Sequence, residues 1–406
     1  MAAVTDDFVK KCEVKQNEAL GRFVVAQCNL RAGETVLLEQ PIVVLPHMGD
    51  RRCSKCFKLT QSFCRKGTDI WKHYQEHAFA PLEASGVLRH LQTEADEDLV
   101  QGLLSILDVN AYEIRAPEAG GSMKGLYRRA ALFAHSCIPN LVTAIDEERR
   151  IKVYANRFIA AGEILYICYT NVLLGTEERR EILKVGKYFH CSCPRCQDPT
   201  ELGTHMSSFI CSHCSCPDGF IIRHAGDGHE FVSNMLERAK EEIFHAKDDI
   251  YRLELLLAKL SRLLHRNHYL MLDLKQNIAS ILRQILQNIT HRPNRKVYER
   301  KIRLCQEILL VLKVVAPGIS RLKAIALYEL ANTQAELARK QYSEQELSAS
   351  DLQATLEQVE VMIRESLRML LFEPLATPEG QLSRSLLREL KELQDDIKNI
   401  QESNDD

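Results

Sequence analysis

The sequence predicts an α+β protein. A β core with small zinc-binding inserts occupies the N-terminal half, and an all-α, tetratricopeptide-like helical domain follows. Three observations predict it. Short runs of β-branched and aromatic residues, bounded by Gly and Pro, fill residues 8–48 and 121–175. Cysteines cluster in two short segments between and after those runs. Beyond residue 230 apolar residues recur every three or four positions.

The β core opens with GRFVVAQC, loosely alternating, then LRAGETVLLE with its glycine turn, then PIVVLP, which reads as a short buried run. Residues 49–80 hold paired Cys, several His and few aliphatics, as suits a segment whose core is a metal ion. LVQGLLSILDV, within residues 81–120, has the apolar spacing of a helix with one buried face. In LVTAIDEERRIKVYANRFIAAGEILYICYT, DEERR turns between two strands and AAGE makes another turn. TEERREIL reads as a capped helix start at Thr176, opening a cysteine-rich stretch over residues 176–229. In the helical domain, 230–406, Leu270, Leu274, Ile278, Ile281, Ile285 and Ile289 form one stripe, while Pro317-Gly318, SEQELSASD and Pro374 divide the helices. No clean 34-residue repeat is present, so a plain helical bundle is the alternative.

The chain has 406 residues, 45% of them hydrophobic, and a net charge of -2. It is expected to be soluble, with neither a membrane span nor a signal peptide. Neutral charge argues against nucleic-acid binding. In a reducing compartment the 14 cysteines read as thiols or metal ligands. Cys12, Cys28, Cys168 and Cys305 stand singly and read as small core residues. Cys191, Cys193 and Cys196 can converge on a tetrahedral zinc, with Cys137, Cys211, Cys214 or Cys216 as the fourth ligand. Cys211, Cys214 and Cys216 are a weaker second cluster, which His213, His205 or His224 would complete. Cys53, Cys56, Cys64, His73 and His77 form a third, because His at i and i+4 share a helix face; solvated imidazoles on an amphipathic helix are the alternative. In AHSCIPN, a Cys/His nucleophilic pair would need His135 within hydrogen-bond reach of Cys137, and Pro139 leads us to expect the two side chains to diverge.

GRFVVA, NAYEIR, AHSCIPN, GEILYICYT, TEERREIL and KYFHCSCPRCQDPTELGTH occur in the order found in the SET and MYND domain (SMYD) family of protein lysine methyltransferases, and the chain resembles its arthropod-type members. The resemblance divides the chain into a SET core (8–48 and 121–175), a degenerate MYND-type zinc segment (49–80), a helical SET insert (81–120), a post-SET zinc region (176–229) and the helical domain. It implies S-adenosylmethionine as cofactor, held by Gly21, Arg22, Asn110, Ala134, His135, Tyr169 and Phe189. It also implies a lysine channel lined by Tyr112, Tyr169 and Tyr188, Tyr169 as the catalytic tyrosine, and Cys137 as the fourth ligand beside Cys191, Cys193 and Cys196. The expected function is methylation of histone or other protein lysines in transcription or chromatin regulation, in nucleus and cytoplasm. The protein is expected to be a monomer that meets transcriptional or chaperone partners.

Four departures weigh against the resemblance. Ala134 stands where the family has an Asn that bonds the cofactor, and Lys187 where it commonly has a channel tyrosine. The MYND-type segment lacks about half of its ligands, and no second Cys-x2-Cys pair follows Cys216. The alternative they motivate is a catalytically weakened SET-fold zinc scaffold.

Overall fold

The computed structural model describes residues 7–46, 106–107, 109–114, 123–211, 220–221, 229–288 and 293–405. The MYND-type segment, most of the helical insert, and Cys214 and Cys216 lie outside the described residues. The chain forms two compact units, Met1–Thr170 with Glu177–Ser192, and Asn171–Thr176 with Cys193–Asp406.

In the first unit a short helix, α1 (Asp7–Lys11), precedes the strands, where the sequence had suggested β structure from residue 8. Phe8 explains the difference: it is buried and meets Phe133 edge-on at 6.1 Å, so packing overrides the local pattern. β1 (Cys12–Asn17) and β2 (Gly21–Ala26) form an antiparallel hairpin. β3 (Thr35–Glu39) lies beside β9 (Ile151–Ala155), itself paired with β8 (Leu141–Ile145) through the expected turn at 146–150. That turn is closed by the Arg150–Asp146 ion pair at 2.7 Å.

β4 (Val43–Pro46) and β5 (Tyr112–Ile114) flank β6 (Met123–Leu126). PIVVLP is therefore an edge strand rather than a buried run, and Ile42 is 63% exposed. β7 (Ala134–His135) runs parallel to β10 (Tyr166–Ile167). Val24, Leu30, Val36, Tyr127, Phe133, Leu141, Ile151 and Leu165 are among the side chains that fill the core beneath these sheets. The Glu39 carboxylate accepts the Arg129 and Ala130 N–H groups at 3.0 Å, fixing the turn that delivers Phe133 and β7.

Of the single cysteines, Cys12 and Cys305 are buried, and burial pushes their thiols up to about 12 and about 11. Cys28 is exposed and Cys168 half-buried, its thiol donating to the Thr170 carbonyl, so these two are not core residues.

Among its described residues the second unit carries α3 (Pro194–Gln197), a two-stranded β11 (Phe209–Ile210) with β12 (Phe220–Ile221), and seven long helices. These are α4 (His229–Ala246), α5 (Ile250–Leu260), α6 (Tyr269–Gln287), α7 (Arg295–Val315), α8 (Arg321–Ser343), α9 (Ala349–Leu370) and α10 (Pro378–Asp405). Each packs on its neighbours in sequence, the order expected of a helical array. Asp249, His268, Ser320 and Ser348 cap α5, α6, α8 and α9 with their side chains. Along α6 the buried stripe runs Leu270, Leu274, Ile278 and then Leu282, so that Ile281 and Ile285 are only half-buried; Ile289 lies outside the described residues.

Candidate active site and cysteine centre

AHSCIPN owes its shape to backbone bonds and one asparagine. The Ser136 N–H donates to the Ile167 carbonyl, continuing the β7–β10 pairing, and the Ser136 hydroxyl accepts the Ile138 N–H at 3.2 Å. That local turn bends the chain. Asn140, 3% exposed, donates its amide to the Ile164 carbonyl at 2.8 Å and accepts the Tyr166 N–H at 2.7 Å. Asn140 thus clamps the motif onto GEILYICYT, a role the sequence reading did not assign it.

The bend brings His135 and Cys137 together. His135 Nε2 lies 3.3 Å from Cys137 Sγ, which corrects the expectation that the two would diverge. The expectation assumed that only a regular extended segment aligns residues two apart; the Ser136 turn does so instead. Both side chains are buried, and Cys137 has no exposed surface, so it cannot serve as a nucleophile toward a protein substrate.

The Tyr169 N–H donates to His135 Nδ1 at 3.0 Å, which places the ring proton on Nε2, facing the sulfur. Arg179 on α2 (Thr176–Lys187), also without exposed surface, donates Nε–H to the same sulfur at 3.2 Å. Two N–H groups aimed at one sulfur suit a metal-bound thiolate acting as acceptor.

Cys137, Cys191, Cys193 and Cys196 bring their sulfurs within 4.8 Å of one another. A four-thiol set at that spacing fits a tetrahedral structural zinc. Locally, Cys193 caps α3 and Cys196 returns its N–H to the Cys193 carbonyl at 2.9 Å, so Pro194 and Arg195 form a tight knuckle between two ligands. Arg195, wholly buried, pairs with Glu201 at 3.0 Å and donates to the Val172 and Leu174 carbonyls. The other Glu201 oxygen accepts the Thr176 N–H, so the start of α2 is capped from ELGTH, 25 residues on, as well as by its own acidic first turn. Among the described residues this is the one metal-competent Cys/His/carboxylate group. Cys211 is half-buried, and His205 is engaged instead with Ser208 at 3.1 Å, its ring tilted against that of His265 at 5.0 Å.

The Tyr169 hydroxyl donates to the Phe133 carbonyl at 2.5 Å, and burial pushes its pKa up to about 12. Its ring lies 5.2 Å from that of His135, which in turn is 5.9 Å from Phe189. Tyr112 donates to the Ala130 carbonyl at 2.7 Å and stands against Tyr127; burial holds its phenol well above the usual range. Lys187 reaches the site: its Nζ lies 5.6 Å from the centre of the Tyr169 ring and donates to the Val109 carbonyl. Tyr188 follows in a left-handed conformation, φ 61°.

Other expected cofactor residues are less engaged. Asn110 turns its amide back to Ile106 at 2.9 Å, and Ala134 sits in an apolar cluster with Phe23 and Val25. Gly21 adopts φ 65° at the start of β2, where an added Cβ would meet nothing within 4 Å, and Arg22 beside it is exposed. This leaves the backbone open to a ligand, and half-buried Phe189 offers a ring face beside His135. Both features fit an adenosyl group.

The SET domain family model matches residues 21–170. The chain is 32% identical over 136 residues to the SET domain-containing protein SmydA-8, isoform B, of Drosophila melanogaster, covering 33% of this chain and 30% of that protein. It is 36% identical over 100 residues to the histone-lysine N-methyltransferase SMYD3 of Mus musculus, covering 25% and 23%. To the histone-lysine N-methyltransferase ASHR1 of Arabidopsis thaliana it is 28% identical over 147 residues, covering 35% and 30%. The matched segments therefore span less than a third of the length of each of these relatives.

Proposed function

We propose that the protein is an SMYD-type, S-adenosylmethionine-dependent protein lysine methyltransferase, a reading supported by the SET domain match over residues 21–170 and by the similarity to SmydA-8 and SMYD3. The observation that carries the reading is Tyr169: a buried, neutral phenol whose O–H is already given to Phe133. Its lone pairs are then directed to accept an N–H from an acceptor amine.

When bound, S-adenosylmethionine supplies a methyl group on a sulfonium. The chain's task is alignment and exclusion of water. Tyr169 and Tyr112 wall the acceptor amine, whose deprotonation burial favours. Phe189, Gly21, Arg22 and the His135 backbone would hold the donor, and the four cysteines would hold one zinc that ties the segment after Phe189 to AHSCIPN. The proposal extends to protein substrates, histone or other, in nucleus and cytoplasm. Among the described residues no helix is long and apolar enough to cross a membrane.

Calorimetric titration with S-adenosylmethionine tests the reading. Saturable binding is expected, and absence of heat at millimolar donor overturns it. Tyr169→Phe is expected to keep donor binding and zinc while lowering methyl transfer about 100-fold or more, as loss of a positioned hydroxyl does; transfer within threefold of wild type would remove Tyr169 from its role. The second reading, a zinc-stabilised scaffold, is favoured by Ala134, which offers a donor no hydrogen bond, and by the Lys187 ammonium at the Tyr169 ring.

A further inference from the structure

We propose that His135 is a positioning residue that couples the four-cysteine centre to Tyr169, so that metal loading decides where the phenol stands. The catalytic consequence rests on the reading of Tyr169 above; the coupling itself does not.

Strand pairing between β7 and β10 runs as far as Ile167, whose carbonyl takes the Ser136 N–H. Two residues later the backbone N–H of Tyr169 is taken by a side chain, His135 Nδ1. A neutral imidazole accepts at one nitrogen and donates at the other. Accepting at Nδ1 obliges it to donate at Nε2, and the group facing Nε2 is Cys137 Sγ.

In the opposite tautomer an Nδ1–H would face the Tyr169 N–H, donor against donor, while Nε2 would face the sulfur as acceptor. A metal-bound thiolate accepts strongly and holds the first tautomer; a metal-free thiol accepts weakly and can itself donate. Arg179 supplies a second N–H to the same sulfur and helps to fix its position. The ring has little freedom to answer by turning, since it is buried and lies between Tyr169 and Phe189 at 5.2 and 5.9 Å. Loss of metal is therefore expected to release the Tyr169 backbone, and with it the phenol, before any change in the core strands. Outer-shell groups of this kind orient metal ligands in general; here the same ring also orients the group proposed to meet the substrate.

The test uses the full chain, zinc-loaded and without methyl donor. With ¹⁵N-histidine labelling at neutral pH, His135 is expected as the Nε2–H tautomer, and an Nδ1–H tautomer overturns the proposal. Site-resolved hydrogen exchange at the Tyr169 amide is expected to speed up at least tenfold in His135→Leu, with zinc loss to a chelator at least threefold faster. His135→Gln, which keeps one acceptor and one donor, should recover part of both. In the wild type, stripping zinc should accelerate Tyr169 exchange as His135→Leu does, and in His135→Leu it should add nothing further. Independent, additive effects overturn the coupling. If stripping zinc unfolds the chain, the tautomer and the zinc-loaded comparison of Leu with Gln decide alone. Failure to bind S-adenosylmethionine would end the methyltransferase reading and leave these readouts intact, whereas an unmoved Tyr169 amide in a donor-binding protein would overturn only the coupling.

Discussion

Replacing Arg179 with methionine separates metal affinity from folding. The guanidinium has no exposed surface and gives Nε–H to Cys137 Sγ at 3.2 Å. A charge-assisted hydrogen bond of this kind contributes about 1.5–3 kcal/mol, or about ten- to a hundredfold in a binding constant. The same range is typical when a partner of a metal ligand is removed. Metal-free protein should respond differently. There the buried guanidinium carries its desolvation cost without a thiolate to offset it, and methionine fills much of the same volume, so stability should hold or rise. Zinc affinity is measured by competition with a chromophoric chelator, and metal-free stability by urea unfolding. The expected result is zinc binding about 10- to 100-fold weaker with metal-free stability unchanged or higher. Arg179→Lys should fall between, since an ammonium keeps the charge but not the fork. Unchanged zinc affinity would refute the argument. So would an equal loss in both measurements, which would make Arg179 an ordinary packing residue.

Asn140→Ala removes two buried side-chain hydrogen bonds; unfolding free energy should fall by roughly 2–5 kcal/mol, and a loss under about 1 kcal/mol in urea denaturation would contradict the clamp. Lys187→Tyr takes a cation from the face of Tyr169. An ammonium there disfavours any cation brought to the phenol, such as a sulfonium or an amine not yet deprotonated, by about 1 kcal/mol at a partly exposed position. Methyl transfer to mixed core histones should then rise about fivefold, and no gain with intact donor binding would show that Lys187 does not obstruct the acceptor. In the helical unit, burial lowers His265 and His268 to about 4 and about 3. These values lie below that of an unfolded histidine, about 6.5. Between the two, the unfolded chain holds protons the folded chain lacks, so stability is present above that value and is lost as pH falls toward about 4. His268→Asn can retain the cap that accepts the Leu270 N–H and should flatten the acid side of the urea midpoint against pH; an unchanged profile would remove His268 as its cause.

Features governed by neighbouring residues were legible in the sequence. The first part of the α6 stripe, from Leu270 to Ile278, the turn at 146–150 and the convergence of Cys193 and Cys196 each follow from spacing within a few residues. GRFVVA is strand β2 as read, while PIVVLP failed as a buried run because exposure of an edge strand depends on which neighbour it lacks. The short helix at Asp7–Lys11 was missed because Phe8 answers to Phe133, far along the chain. Tertiary structure alone decided the site's wiring. Arg179 reaches Cys137 across 42 residues and the Tyr169 N–H reaches His135 across 34, whereas the resemblance had already set Cys137 beside Cys191, 54 residues on. No periodicity encodes such pairs. They form because the parallel β7–β10 pairing and the Asn140 clamp bring two distant segments to hydrogen-bond distance, and a buried polar group must then take whichever partner the fold presents.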